Sequence, residues 1–236
     1  MNVVALAIAA ALAVGAPAAA APDCTVSDAT LTWGFKESFR SYISGTIANG
    51  EWIVANGTTY ETPDFGWAGG TGRLENGVGE LAFAGSIEFT GHAGVLDTTV
   101  ANPRLVLDGS STATLVLDVS GTTQQGDAVD EQAVAFASVD ISGAEYGEGT
   151  VTITDAPAVL TDAGSVAFGT YAPGETLDPI TVELTADPAC TVAPARGLGL
   201  GLAGTIWLGV ASALAVAVIG TWLVVRRRRR AQAPGA

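Results

Sequence analysis

The residues best suited to chemistry lie in one block, residues 31–45: Leu-Thr-Trp-Gly-Phe-Lys-Glu-Ser-Phe-Arg-Ser-Tyr-Ile-Ser-Gly. Phe35, Phe39, Tyr42 and Ile43 recur at i, i+4, i+7 and i+8, the spacing of one face of about two helical turns. Ser38 stands one turn before Tyr42, on the same side. A short helix with an apolar face, a phenol and a hydroxyl predicts a platform for a ligand. The single histidine, His92, lies in Phe89-Thr90-Gly91-His92-Ala93-Gly94, where the glycines predict a turn after a strand. Catalysis has weaker support. No Gly-x-Ser-x-Gly elbow occurs, and the lone histidine has no evident serine partner. Two cysteines and one histidine do not complete a zinc shell. No glycine-rich phosphate loop or helix-borne metal motif is present.

The elements that must position these groups read as short strands. Glu51–Ala55, Asn56-Gly57 and Thr58–Tyr60 form a hairpin signature. Residues 79–90 alternate, with Leu81, Phe83, Ile87 and Phe89 facing inward. Leu105–Leu107 and Leu115–Val119 flank Asp108-Gly109-Ser110-Ser111, a second hairpin. Residues 133–141, 149–154 and 181–184 continue the pattern, and 159–168 reads as a run with a turn at 162–164. The expected fold is mainly β: an antiparallel β-sandwich with a short N-terminal helix carrying Tyr42.

The ends of the chain set its expected location. Residues 1–20 have the apolar core and small-residue ending of a signal peptide, without a basic n-region. Residues 202–225 carry no charge and precede Arg226–Arg230. As a helix this run spans roughly 36 Å, enough to cross a ~30 Å hydrocarbon core. The arginines then place the tail, 226–236, in the cytoplasm. A Pro/Gly-rich linker, 193–201, joins that span to an extracellular domain, 21–192. Residues 21–195 hold four basic residues against 24 acidic ones, a net charge of −20. Such a surface repels nucleic acid and anionic lipid. Cys24 and Cys190 bracket the domain and read as one disulfide in an oxidising compartment.

Three blocks carry a resemblance. Residues 33–42 resemble the opening motif of the HtaA-type haem-binding domains of corynebacteria and related actinobacteria. Phe89-Thr90-Gly91-His92 with Leu96-Asp97 and Asn102-Pro103-Arg104 is similar to that family's central motif. Phe168-Gly169-x-Tyr171 with Leu177-Asp178-Pro179 is similar to its closing motif. One such domain ahead of a membrane span is similar to the family's membrane-anchored members. The resemblance implies Tyr42 as axial ligand of ferric haem b, with His92 hydrogen-bonded to the phenolic oxygen. It implies that the macrocycle lies across Phe35, Phe39 and Ile43, with Ser38 as a donor to a propionate and Tyr171 at the rim. By residue type alone, Ser38 equally suits a cap or a solvent-facing site, and Tyr171 a packing role. Tyrosine binds metal as the phenolate, and an anionic oxygen favours ferric iron. The implied role is iron acquisition: a cell-surface receptor, not an enzyme, takes haem from a secreted or surface donor. It passes the haem toward the binding lipoprotein of a haem ABC transporter. The rival reading is a structural or adhesive surface domain without haem.

Overall fold

The computed structural model describes residues 23–169 and 171–194. The expected signal peptide (1–20), membrane span (202–225), basic tail (226–236) and most of the linker (193–201) lie outside the described residues. Among the described residues, no helix is long and apolar enough to cross a membrane.

Among the described residues, fourteen strands and two short helices follow one another. β1 (Thr25–Val26), β2 (Asp28–Trp33), α1 (Glu37–Ser44), β3 (Glu51–Ala55), β4 (Thr59–Glu61) and β5 (Asp64–Trp67) come first. β6 (Thr71–Glu75), β7 (Val78–Ala82), β8 (Ser86–Gly91) and β9 (Leu96–Asp108) follow, with a single 3-10 turn at His92–Gly94. The last of the described elements are β10 (Thr112–Thr122), β11 (Ala128–Asp140), β12 (Glu145–Tyr146), β13 (Thr150–Leu160), α2 (Asp162–Phe168) and β14 (Thr176–Thr185).

All strand pairs are antiparallel and belong to one sheet, where the sequence predicts two sheets facing each other. One path through that sheet runs β3-β8-β9-β10-β11-β13-β14-β2-β5-β4. Its two outermost strands, β3 and β4, are joined by a tight turn, so the sheet must curl back on itself. The turn is the expected one: Asn56 and Gly57 take positive φ (57° and 107°), and the Thr58 N–H donates to the Ala55 carbonyl. The expected β3–β4 pairing does not form. β3 pairs with β8 and β4 with β5, and the rings of Trp52 and Tyr60 bridge the seam, centroids 5.3 Å apart.

Alternation predicts faces well. Leu81, Phe83, Ile87 and Phe89 are all buried, although the run divides at Gly85 into β7 and β8, both paired with β9. The β9–β10 hairpin forms in the expected place. At its turn the Asp108 carboxyl accepts hydrogen bonds from the Ser110 hydroxyl and N–H, which hold its pKa below the usual carboxylate value. Residues 162–168 are the helix α2 and not strand. Thr161 caps it, its hydroxyl accepting from the Gly164 N–H, and Gly169 ends it in the left-handed conformation.

The core is aromatic at its centre: Trp33, Phe35, Phe39, Phe65, Phe89 and Phe136 are fully buried. Cys24 and Cys190 form the expected disulfide, 166 residues apart in sequence. Closing so long a loop stabilises by about 4–5 kcal/mol in the chain-entropy account.

Candidate functional site

α1 begins later than helical spacing predicts. Leu31–Trp33 finish β2, Phe35 turns in the left-handed region (φ 64°), and the helix starts at Glu37. A non-glycine residue there costs about 1–3 kcal/mol. Phe35 compensates by packing against Trp33, Phe39, Phe89, Phe136 and Phe168, with ring centroids 4.7–5.9 Å apart. Full burial of such a ring contributes about 1.5–3 kcal/mol, and aromatic pairs add about 0.5–1.5 each, so packing outweighs strain.

The helix has two sides. Phe39 and Ile43 are wholly inside, as is Phe35 ahead of them (all 0% exposed). Ser38 is exposed and Tyr42 half-buried. The three apolar residues therefore form a floor beneath the polar pair, and none offers surface for a ligand to cover. Exposed aliphatic surface comes instead from Ile47 (75%), Val95 (50%) and Val166 (82%). Each is next to a backbone contact of the site. Ile47 precedes Ala48, whose carbonyl accepts the His92 N–H. The Val95 N–H donates to the His92 carbonyl. Val166 follows Ser165, whose hydroxyl donates to the Tyr171 carbonyl.

Two polar pairs stand on this floor. The Tyr42 hydroxyl is hydrogen-bonded to His92 Nε2 across 50 residues of sequence. His92 and Ala93 both take left-handed backbone (φ 53° and 54°), and the His92 N–H is held by the Ala48 carbonyl at 2.7 Å. That bend turns the imidazole off the end of β8 toward α1. In the second pair the Ser38 and Tyr171 hydroxyls are 3.4 Å apart. Tyr171 stacks on Phe168, centroids 5.8 Å apart and nearly parallel, and meets Phe39 edge-on. Of the expected residues, Ser38, Tyr42, His92 and Tyr171 thus gather at one surface, with Phe35, Phe39 and Ile43 below them.

Helical spacing takes Lys36 and Arg40 off the Tyr42 face. They are off that face, yet both are buried and organise the site. Lys36 Nζ donates to Glu175 Oε1 and to the Thr176 carbonyl, both at 2.9 Å. Arg40 donates to Asp178 Oδ2 (3.0 Å) and to the carbonyls of Gly34 and Pro63. The other oxygen of Asp178 accepts the Glu37 N–H, the first of α1, at 2.9 Å. A side chain at Gly34 has no room, since its Cβ would lie 2.4 Å from Asp178 Oδ2. One available signal was the charge count: two of four basic residues in an acidic domain fall in one block and call for acidic partners.

The sequence model of the HtaA family matches residues 28–183. The crystal structure of the C-terminal domain of HtaA from Corynebacterium glutamicum is 32% identical with a TM-score of 0.62, and the match covers 68% of this chain and 98% of that one. The N-terminal domain of the same protein is 31% identical at a TM-score of 0.59, covering 69% and 98%. The haem-binding protein HtaB of C. glutamicum is 26% identical at 0.53, covering 70% and 96%. No curated protein matches the chain.

Proposed function

The chain belongs to the HtaA family, and from that premise we propose that it is a cell-surface protein that binds ferric haem b through Tyr42 without acting as an enzyme. The observation that carries this reading is the Tyr42–His92 hydrogen bond at a half-exposed position. With it go a second hydroxyl pair and exposed aliphatic residues adjacent in sequence to the backbone contacts of the site. This donor set fits haem: one phenol for iron, hydroxyls for carboxylates, and apolar surface for a flat ring. Solved relatives support it, since HtaB is described as haem-binding.

Ferric iron at the centre of the ring supplies a Lewis acid that prefers an anionic oxygen. Tyr42 provides that oxygen by giving up its phenolic proton. His92, whose Nε2 is hydrogen-bonded to the Tyr42 hydroxyl, would hold that oxygen toward the iron, fixing its direction and tempering the basicity of the phenolate. Ser38 and Tyr171 donate to the propionates at the rim. Ile47, Val95 and Val166 cover apolar ring surface, and Phe35, Phe39 and Ile43 hold the floor rigid under Tyr42. Burial of ring surface contributes roughly 25 cal/mol per Å².

In the full reading the protein is a single-pass membrane protein with this domain outside. It receives haem from a secreted or surface donor and yields it to the binding lipoprotein of a haem ABC transporter. The test is optical. The full chain in detergent, titrated with hemin against a detergent blank, develops a Soret band and a high-spin ferric spectrum. A spectrum identical to the blank would leave a structural or adhesive domain.

A further inference from the structure

Tyr171 is held by a charge that the site described so far does not use. The Lys36 ammonium lies 4.9 Å from the centroid of the Tyr171 ring, within cation–π range. Phe168 stacks on the same ring. Lys36 is itself fixed: its side chain is 10% exposed, and it donates to Glu175 Oε1 and to the Thr176 carbonyl. The ring at the rim is therefore braced by a rigid cation from the start of α1 and by an aromatic plane from α2. Its hydroxyl is thereby delivered to within 3.4 Å of Ser38 Oγ. The charge balance adds a second argument. Residues 21–195 carry a net charge of −20, a surface that repels a dianion. Of the four basic residues there, Arg73 and Arg104 lie on β6 and β9, and only Lys36 and Arg40 belong to the block that carries Ser38 and Tyr42. Both are paired with a carboxylate, Arg40 with Asp178 and Lys36 with Glu175, but it is Lys36 that also lies against the Tyr171 ring.

We infer that Lys36 is a positioning residue for carboxylate recognition. By clamping the Tyr171 ring it holds the Tyr171 and Ser38 hydroxyls together as a paired donor, so that the site selects a ligand with free carboxylates over its ester. This rests on the haem-binding reading and deepens it. Loss of the clamp frees Tyr171 to leave Ser38, while the Tyr42–His92 pair, on the other hydroxyl, stays as it is.

The experiment titrates the full chain with hemin and with hemin dimethyl ester, in wild type and in Lys36→Met, which keeps the aliphatic stem and removes the charge. Wild type prefers the free acid by about tenfold, the scale of one charge-assisted hydrogen bond. Lys36→Met loses most of that preference with its Soret maximum and charge-transfer bands unchanged, and Lys36→Arg restores part of it. An equal loss of affinity for both ligands, or a preserved preference, would overturn the inference by reducing Lys36 to a structural role. Tyr171→Phe keeps the ring and removes the hydroxyl, so the test survives a Lys36→Met protein that does not fold. It too loses the preference, and a retained preference would overturn the inference. Failure of wild type to bind either ligand would instead strike the haem-binding reading beneath it.

Discussion

α2 carries its own ends: the Thr161 hydroxyl accepts the Gly164 N–H at one end, and Gly169 closes the other. α1 has neither. Lys36 makes no side-chain cap, Gly45 is extended, and the first N–H is accepted by Asp178, 141 residues further along the chain. The caps of α2 thus come from its neighbours in sequence, with Thr161 also bonded to Phe136 of β11, whereas the start of α1 is capped by Asp178 of β14. The helix bearing Ser38 and Tyr42 is the one tied to the rest of the molecule through Asp178 and Glu175. Its position, and hence the site, exists only once β14 has joined β2.

The comparison breaks most readily at Asp178. Asp178→Ala removes the cap of α1 and leaves Arg40, whose side chain is only 9% exposed, without its counter-ion. The expected loss is about 3 kcal/mol, the lower end of the cost of orphaning a buried charge, because the Asp178 side chain keeps 22% exposure. Chemical denaturation measures it, and hemin affinity should fall with it. The smaller effect sharpens the contrast: Thr161→Ala costs about 1 kcal/mol, as for other N-caps, and leaves hemin affinity near wild type. Equal losses of stability and affinity in the two variants would erase the distinction between a locally and a remotely anchored helix.

This contrast also explains what the sequence made legible. Period-two alternation located the buried faces of residues 79–90, and Asp108-Gly109-Ser110-Ser111 marked a true hairpin, because both signals are local. Asn56-Gly57 marked a true turn, but partner choice is a long-range matter, and β3 and β4 pair with β8 and β5. α2 was missed because seven residues with a glycine and a valine hold little periodic signal, although Thr161 and Gly169 flank it as caps. At the site, spacing put Ser38 and Tyr42 together on α1. It placed Phe35 on the helix, where the chain instead bends underneath. Spacing could not join Tyr42 to His92, Ser38 to Tyr171 or Lys36 to Glu175, which are 50, 133 and 139 residues apart. The first came from family resemblance, which gave Ser38 and Tyr171 separate roles without joining them. The third was hidden, because a salt bridge between distant blocks leaves no periodic trace.

The central claim is that the Tyr42 oxygen meets iron and that His92 acts through it. Resonance Raman spectra of the ferric hemin complex of the full chain test this directly, in wild type, Tyr42→Phe and His92→Ala. Wild type should show phenolate modes of an iron–tyrosinate bond. Tyr42→Phe should lose them with most of the affinity, and His92→Ala should keep them with shifted frequencies and weaker binding. Phenolate modes that survive in Tyr42→Phe, or that vanish only in His92→Ala, would contradict the account.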